Sequence, residues 1–510
     1  MEDSSMKMIL KHILNTSALL LTGIVFAGCS SSDAPIEQPI NPAGKYTMTV
    51  NASKGSDATT RALSIDGSGK LIASWATTED VYVKKDDSWL SGSLKPQTAG
   101  ESSVLKGEIT GVAISEGNEL TLQFPRTTID YTGQVGTLDD IAAKYDYAIA
   151  TTNVTSASGN TFTSSDADFK NQQAIVKFTL KDIYGFPIKA NRFTISSGND
   201  KIVQNIDQDN FTYGPLKLTI DPASETGELY TAIRHNLGTS ETDDITLTAV
   251  EINHDSCVYQ KSGVKFESGN YYRVNVTMKS AMLSEPLTLE AKENGKITFT
   301  NNSGGVIEYR INDGSWTSTT NFNESVSAGT KVSFRGNNSS YYPGSDASSI
   351  ACTAPCYVYG NIMSLVNATN FATATSLTGN NAFHNLFKDN TNIINHSSKD
   401  LVLPATTLTS YCYKAMFNGC AGLTRAPVLP APALVANCYE MMFADCTNLK
   451  YIKCLATSGI NTNSSTNAWV NDVSGSGTFV RDPNTPYGSG TSGWPRNEHG
   501  IPSGWTVSPK

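Results

Sequence analysis

Residues 174–180 read Ala-Ile-Val-Lys-Phe-Thr-Leu, and this stretch decides the fold class of the chain. Towards its end polar side chains alternate with large apolar ones, which is the period of a strand with one buried face. Similar segments bounded by turn residues recur from Lys45 to Ser280. They are 46–50, 80–83, 119–124, 216–220, 245–250 and 271–276. The pattern predicts half-buried antiparallel strands.

The region from Lys45 to Ser280 is long enough for two domains, so it is predicted to form two tandem antiparallel β-sandwiches, at 45–165 and 166–282. Alternating segments at 297–300, 307–311 and 331–335 then predict a small antiparallel β module over 285–342. The expected fold class is therefore mainly β. Two further parts of the chain lie C-terminal to the β module.

Beyond Cys352 the sequence repeats itself at an offset of 26 residues. The matched pairs are Leu403/Leu429, Pro404/Pro430, Leu408/Leu434, Cys412/Cys438, Tyr413/Tyr439, Met416/Met442, Phe417/Phe443, Cys420/Cys446 and Leu423/Leu449. A degenerate earlier copy includes Phe383, Leu386 and Phe387. A period of this size is typical of a solenoid built from leucine-rich repeats.

Inside one copy, Tyr413, Met416, Phe417 and Cys420 stand at i, i+3, i+4 and i+7, which predicts a two-turn helix with one apolar face. A short strand follows, so each coil is expected to be one helix and one strand. The result is a short α/β solenoid over 345–457, with its cysteines as buried thiols. Residues 458–510 are predicted to form a β-rich C-terminal cap.

The N-terminal region predicts export. Lys7 and Lys11 precede an apolar run that ends at Ala27-Gly28-Cys29, too short for a spanning helix of roughly 20 residues. The small pair before cysteine resembles the lipobox of bacterial lipoproteins, which implies cleavage after a 1–28 signal peptide, lipidation of Cys29 and a 29–44 linker. The alternative is an ordinary signal peptide with an incidental cysteine.

Composition argues against several function classes. The chain has 38 basic and 47 acidic residues and a net charge of −9, so no nucleic-acid partner is expected. The sequence contains no His-Glu-x-x-His motif, phosphate-binding loop or nucleophile elbow, and Asp207 and Asp209 lack the closing glutamate of a calcium loop. We therefore expect no enzyme activity, no cofactor and no metal.

The cysteines outside the signal are not spaced as zinc ligands, because none forms a Cys-x-x-Cys pair. Cys352 and Cys356 are candidates for a local disulfide. Trp494 and Trp505 are expected to lie in the interior of an ordered cap, and the alternative makes them stacking residues for a sugar.

The first half of the chain resembles the fimbrillin-like (Mfa-like) family of type V bacterial pilus proteins. The resemblance rests on 47–50 followed by Thr-Thr-Arg-Ala (59–62), on Trp75 ahead of 80–83, on 169–178 and on 266–272. It implies assembly with other pilus subunits by donor-strand addition after a protease cuts between Arg61 and Ala62. The alternative is that Arg61 is a solvated loop residue.

The repeat resembles the BspA-type leucine-rich repeat of bacterial surface proteins, in which Met-Phe-x-x-Cys-x-x-Leu blocks alternate with Leu-Pro steps. Proteins with such repeats are associated with adhesion, so the resemblance implies a host matrix protein, a glycan or a bacterial surface as the ligand.

Together these features predict a lipoprotein of the outer membrane, exposed at the surface as a tip or accessory adhesin of a type V fimbrium. Two alternatives stay open: a glycan-binding surface lipoprotein outside a pilus that uses Trp494 and Trp505, and a structural spacer without a ligand.

Overall fold

The structure is a computed structural model. It describes residues 44–53, 63–65, 71–125, 128–207, 210–213, 217–251, 254, 256–344, 346–488 and 493–509. Among these residues there is one α-helix (α1, Leu138–Lys144), and the 3₁₀ helices are Ala281–Ser284, Ile362–Leu365 and Phe371–Thr373. Strands and turns form the rest, so the predicted mainly β class is confirmed.

The first β unit is a sheet that closes on itself. Its strands are β1 (Lys45–Ser53), β2 (Ser64–Ile65), β3 (Leu71–Ile72), β4 (Tyr82–Lys85), β5 (Ser88–Trp89), β6 (Ser91–Pro96), β7 (Ser102–Thr110), β8 (Glu119–Phe124), β9 (Ile129–Asp130), β10 (Ala148–Ser158), β11 (Thr161–Ser164), β12 (Ala167–Asp168) and β13 (Lys170–Asn171). The main sheet has the order β5-β4-β8-β10-β11-β1-β7-β6, and β12 and β13 pair with β1 and β10. β2 and β3 form a separate two-stranded sheet, and β9 joins a sheet of the second β unit. Val81 and Leu94 exchange both backbone hydrogen bonds at 2.8 Å and join the two ends of the main sheet. The unit is therefore barrel-like around a single core.

The second β unit contains the stretch that opened the sequence analysis. Its strands are β14 (Ala174–Asp182), β15 (Arg192–Ser197), β16 (Val203–Asp207), β17 (Asn210–Tyr213), β18 (Leu218–Ile220), β19 (Glu228–Ile233), β20 (Asp243–Val250), β21 (Ser256–Val264) and β22 (Tyr271–Ser280). The sheet order is β18-β15-β20-β21-β22-β14-β19. The strand predicted at 174–180 is confirmed as a central strand.

The prediction of purely antiparallel sandwiches is wrong in one respect. β14 runs parallel to β22, and β1 runs parallel to β11 and β12. In the second unit the first strand, β14, lies beside the last strand, β22, and these two strands run in the same direction. Period two in the sequence cannot reveal this, because both kinds of ladder alternate their side chains.

Residues 129–147 join the two β units. β9 pairs with β16, and Ile141 and Tyr145 from the region of α1 lie in the core of the second unit. The buried side chain of Gln134 accepts a hydrogen bond from Ala232 N at 2.7 Å and donates one to Ala232 O at 2.9 Å. A segment placed by prediction in the 45–165 sandwich thus packs against the following one.

The third region contains two facing sheets. Its strands are β23 (Leu287–Ala291), β24 (Gly295–Thr300), β25 (Ile307–Ile311), β26 (Thr317–Thr319), β27 (Phe322–Val326), β28 (Lys331–Gly336), β29 (Ser349–Cys352), β30 (Cys356–Asn361), β31 (Ile393–Asn395) and β32 (Leu401–Val402). One sheet has the order β26-β25-β28-β23-β30-β31, and the other has the order β27-β24-β29. β30 is antiparallel to β23 but parallel to β31 and β32. The β module and the repeats consequently share one hydrophobic core, which runs from Leu287 to Trp505.

The helix predicted in each repeat is absent, and consecutive turns take its place. Tyr411 and Ala415 have φ angles of 59° and 49°, and Asn437, Met441 and Asp445 have φ angles of 55°, 53° and 62°. A residue in the left-handed region at every fourth position is incompatible with a right-handed helix. Because side chains on the same face still recur every four residues, the sequence pattern is close to that of a helix.

The turns stack through the backbone. Tyr413 N and Phe417 N donate to Cys438 O and Met442 O of the next coil at 3.0 Å, whereas Met416 N between them donates back to Tyr413 O at 3.2 Å. Alternate N–H groups thus bond between coils and within a coil. This arrangement satisfies the backbone without helix or regular strand.

The stacking continues beyond the visible sequence repeat. One column of aromatic rings has centroid spacings between 5.4 and 6.4 Å. It consists of Tyr341, Phe383, Tyr413, Tyr439, Trp469 and Trp494. On another side of the coils, β33 (Tyr451–Cys454), β34 (Thr478–Arg481) and β35 (Thr506–Pro509) form a parallel sheet. The coil stack, which we define as residues 381–509, therefore includes the segment predicted as a cap.

Candidate functional site

The residues singled out from the sequence have different outcomes. Cys29, Arg61 and Ala62 lie outside the described residues, so lipidation and processing stay predictions. Trp494 is 0% exposed and Trp505 is 1% exposed. Both indoles therefore lie in the interior, as expected, and the alternative of sugar stacking has no exposed ring face to support it.

Strand β1, which precedes Arg61 in the sequence, lies in the interior of the first sheet. It pairs antiparallel with β7 along its whole length, from Lys45 opposite Thr110 to Ser53 opposite Ser102. On its other side it pairs with β11 and then with β12. Both backbone edges of β1 are thus occupied.

The side chains of β1 alternate as the sequence predicts. Tyr46, Met48, Val50 and Ala52 are buried in the first core, and the Tyr46 ring lies 4.6 Å from that of Phe162. Lys45 is exposed and forms an ion pair with Glu108 at 2.6 Å. Since exposed ion pairs contribute little, apolar burial and backbone pairing hold the strand.

Removing β1 would leave a groove, which we call the β1 groove and define as the space between β7 and the β11/β12 edge. Its walls would carry unpaired N–H and C=O groups, and its floor would expose core residues such as Leu105, Ile109 and Phe162. Only an extended segment with apolar side chains at every second position fills such a space.

A second feature is a cavity of about 480 Å³ between the second β unit and the coil stack. Two polar side-chain contacts cross it. Lys453 Nζ lies 3.0 Å from Asp182 Oδ2 and 4.1 Å from the centroid of the Phe186 ring. His254 Nδ1 lies 3.0 Å from Asp400 Oδ2, and Arg425 also bonds Asp400. These contacts join the coil stack to the second β unit.

Asp400 carries a pH-dependent part of this junction. Burial raises the pKa of Asp400, but the bonds from His254 and Arg425 outweigh it and hold the pKa at about 2, below the ordinary value of 3.8. The folded state then binds fewer protons than the unfolded state. Its stabilisation is present above pH 4 and is lost as the pH falls towards 2.

We expect Arg425→Gln to lower the free energy of unfolding by about 1 to 3 kcal/mol at pH 7, because Asp400 loses a charged partner. The deficit relative to wild type should shrink as the pH falls from 4 to 2. Urea unfolding at several pH values measures it. Arg192→Gln is the control, since Arg192 forms an exposed ion pair with Asp221 at 2.7 Å. A deficit for Arg425→Gln that does not change with pH would contradict the role given to Asp400.

A buried cluster of Ser197, His235 and Asp243 lacks the geometry of a catalytic triad. Ser197 Oγ donates to Asp243 and not to the imidazole, and His235 Nε2 lies 3.1 Å from the same carboxylate. His235 Nδ1 accepts from Phe266 N at 3.3 Å. Burial lowers the pKa of His235. Both ring nitrogens are thus occupied, and the cluster acts as a hydrogen-bonded core element.

The predicted buried thiols of the repeat are confirmed. Cys420 Sγ donates to Phe387 O at 2.9 Å, and Cys446 Sγ donates to Phe417 O at 3.0 Å. Burial raises the pKa of both thiols, that of Cys446 to about 12. Such thiols are poor nucleophiles and poor metal ligands. Cys352 and Cys356, the candidates for a local disulfide, are also free thiols.

Within the part of the chain that the structure describes, no three His, Cys, Asp or Glu side chains are grouped as metal ligands. No helix there has the length and apolar character needed to cross a membrane.

Sequence reasoning missed the junction between the sandwich and the coil stack. Its partners Asp182 and Lys453, and His254 and Asp400, are distant in the sequence, and none lies in a recognisable motif. Only the tertiary fold brings them together.

No protein family model matches the chain, and no curated protein matches it. Among solved structures, a fimbrial assembly protein from Parabacteroides distasonis is 12% identical, with 47% of this chain and 93% of that chain covered and a TM-score of 0.27. A fimbrial protein from Bacteroides ovatus is 13% identical, with 47% and 50% covered and a TM-score of 0.24. A streptococcal ancillary pilin is 10% identical, with 61% and 96% covered and a TM-score of 0.19.

Proposed function

We propose that this chain is a fimbrial subunit that joins other subunits by exchange of its first strand. The observation that carries the proposal is the position of β1, which is paired on both edges and buries alternate side chains. Its removal creates the β1 groove, and the scission point suggested by the sequence, Arg61-Ala62, follows this strand.

The anchor and the position in the fibre are part of the same proposal. Lipidation of Cys29 would hold the chain at the outer membrane until Arg61 is cut, after which the lipid would stay with β1. A tip or accessory position is favoured because β35 pairs with β34 inside the coil stack and is not free to be donated.

The coil stack is proposed as the adhesive part, of the BspA-type leucine-rich-repeat class, although its turns replace the helix that was predicted. Its polar side-chain contacts to the second β unit, Lys453 with Asp182 and Asp400 with His254, support a fixed presentation of the stack relative to the sandwiches. A ligand bound there would pull on a joined structure and not on a flexible linker.

The alternative of a glycan-binding lipoprotein outside a pilus loses the support of its own candidate residues, because Trp494 and Trp505 are buried.

Strand exchange is tested by cleavage and peptide capture. We expect an arginine-specific protease to cut the full chain after Arg61, and the product to exchange β1 for a fluorescent peptide of residues 45–53 in mild denaturant. Fluorescence anisotropy measures the capture. The uncut chain should not bind the peptide, because both edges of the groove are occupied by a covalently joined strand.

Two variants control this experiment. Arg61→Ala should abolish both cleavage and capture, whereas Lys54→Ala in the same segment should leave both unchanged. A peptide with aspartate at the place of Met48 should not be captured. If the cut chain binds neither peptide, or binds both equally, strand exchange is wrong.

A further inference from the structure

The outer face of the sheet containing β25 and β28 carries an unusual group of side chains. Arg310 lies opposite Ser333, which lies opposite Thr288, which lies opposite Tyr359 on β30. These residues alternate with core residues along each strand and therefore lie on the face turned away from the core. Ser333, Thr288 and Tyr359 are themselves buried on that face, whereas Arg310 is half-buried. Trp316 immediately precedes β26, the edge strand of this sheet.

Two guanidinium groups pack against the Trp316 ring. The Arg335 Cζ atom lies 4.2 Å from the ring centroid, and the Arg310 Cζ atom lies 5.0 Å from it. Trp316 is nevertheless half-buried and not enclosed. We call this group of Trp316, Arg310 and Arg335 the arginine–tryptophan corner.

The two arginines differ in their partners. Arg335 Nε lies 2.7 Å from Glu308 Oε2, so its charge is balanced. Arg310 forms no ion pair within the described residues, and its Nε is shielded from solvent without a hydrogen-bond partner among them. The Arg310 side chain as a whole is half-buried, so an anionic ligand can approach its guanidinium from solvent and supply the missing counter-charge.

The charges around the corner are mixed. Lys331 lies opposite Glu290, Lys399 lies 3.2 Å from Glu290, and Glu285 and Asp313 are close enough to act on Tyr359 of this face. The face therefore carries no excess of cations. An anion is attracted by Arg310 itself, which forms no ion pair within the described residues.

We propose that the arginine–tryptophan corner binds an acidic polysaccharide, with a carboxylate or sulfate group on Arg310 and a sugar ring against Trp316. The planar guanidinium matches the two oxygens of such an anion. An exposed part of an indole offers an apolar surface for the C–H face of a sugar. The corner lies in the β module and not in the coil stack, so the proposal adds a second binding surface to the adhesive function. It rests on that function only for its biological meaning.

The test is equilibrium binding of the purified full chain to four polymers. Heparin supplies sulfate and carboxylate, polygalacturonate supplies carboxylate alone, polyglutamate supplies carboxylate without a sugar, and dextran supplies neutral sugar. We expect binding to heparin or polygalacturonate, or to both, and none to dextran or polyglutamate. If polyglutamate binds as tightly as the polysaccharides, the sugar ring has no role in binding. If dextran binds tightly, the anionic group has no role.

Variants locate the site. Arg310→Ala and Trp316→Ala should each weaken binding by about 10- to 100-fold, the range expected for one charged contact. Arg310→Lys should also weaken it, because an ammonium keeps the charge but loses the planar fork. Arg273→Ala is the matched control, since Arg273 is exposed and lies 5.6 Å from the centroid of the Tyr271 ring.

Absence of binding by the wild-type chain, or equal losses in Arg310→Ala and Arg273→Ala, would overturn the site. This measurement involves neither cleavage at Arg61 nor the β1 groove. Failure of the polysaccharide site therefore leaves strand exchange standing, and failure of strand exchange leaves the binding result unchanged.

Discussion

Replacing Phe417 by alanine is expected to lower the free energy of unfolding by about 3 to 5 kcal/mol. Phe417 is fully buried and lies between two parallel rings, with centroids 5.5 Å from Phe387 and 5.6 Å from Phe443. The interplanar angles are 2° and 3°. Loss of the middle ring removes contacts with both neighbouring coils at once.

The backbone limits the repair of such a cavity. Phe417 N donates to Met442 O at 3.0 Å, so the coils cannot approach each other without breaking the ladder between them. Urea unfolding followed by tryptophan fluorescence measures the loss. Trp469 reports on it because its ring centroid lies 6.1 Å from that of Phe443, which packs against Phe417.

Lys388→Ala is the control for this variant. Lys388 lies on the neighbouring coil but is exposed, so its truncation should change the free energy of unfolding by less than about 0.5 kcal/mol. Similar losses in both variants would mean that the ring column is not what stabilises the coil stack.

Met48→Asp is expected to cost about 4 to 5 kcal/mol in the intact chain. Met48 is 0% exposed in the core of the first β unit, and a carboxylate there is buried without a partner. Because β1 holds β7 and β11 apart, the damage should spread to both. Urea unfolding gives the total, and faster hydrogen exchange at Leu105 and Ile109 of β7 would localise it.

Thr49→Asp is the matched control in the same strand. Thr49 is half-buried and lies opposite Lys106 on β7, so a carboxylate there meets solvent and a cation. We expect a change below about 0.5 kcal/mol. If Thr49→Asp were as damaging as Met48→Asp, alternate burial of β1 would not explain its stability, and the β1 groove would lose its physical basis.

Much of the β architecture could be predicted from period two alone. The stretch at 174–180 becomes β14, and the segments around Thr121, Thr246 and Val274 become strands as well. Partner choice could not be predicted, because an alternating strand gives no sign of whether its neighbour is parallel. That is why the pairing of β14 with β22 was missed.

In the repeat, the period was informative but the conformation was misread. Tyr413 and Phe417 point to the same side in a helix and also in the observed turns, where left-handed residues such as Tyr411 and Ala415 recur at the same spacing. In the two clear copies, Asn437 and Asp445 are residue types that tolerate this conformation. Tyr411 and Met441 are not, so their left-handed conformation could not be predicted from the residue type.

The later coils were missed for a different reason. Trp469 and Trp494 continue the column begun by Tyr413 and Tyr439, yet neither follows the Met-Phe-x-x-Cys pattern. A solenoid needs only a ring of suitable size at each level, so its shape persists after the sequence identity has ended. The same ambiguity left sugar stacking open as an alternative for the two buried cap tryptophans.

The alternation of hydrogen bonds between coils also makes this end of the molecule modular. Each coil offers its neighbour the same row of N–H donors that it receives, as in the bonds from Phe387 N to Met416 O and from Phe417 N to Met442 O. A whole coil added or deleted in the middle would therefore leave matching surfaces on both sides. The reach of this part of the protein can change in unit steps while the sandwiches that carry it stay the same.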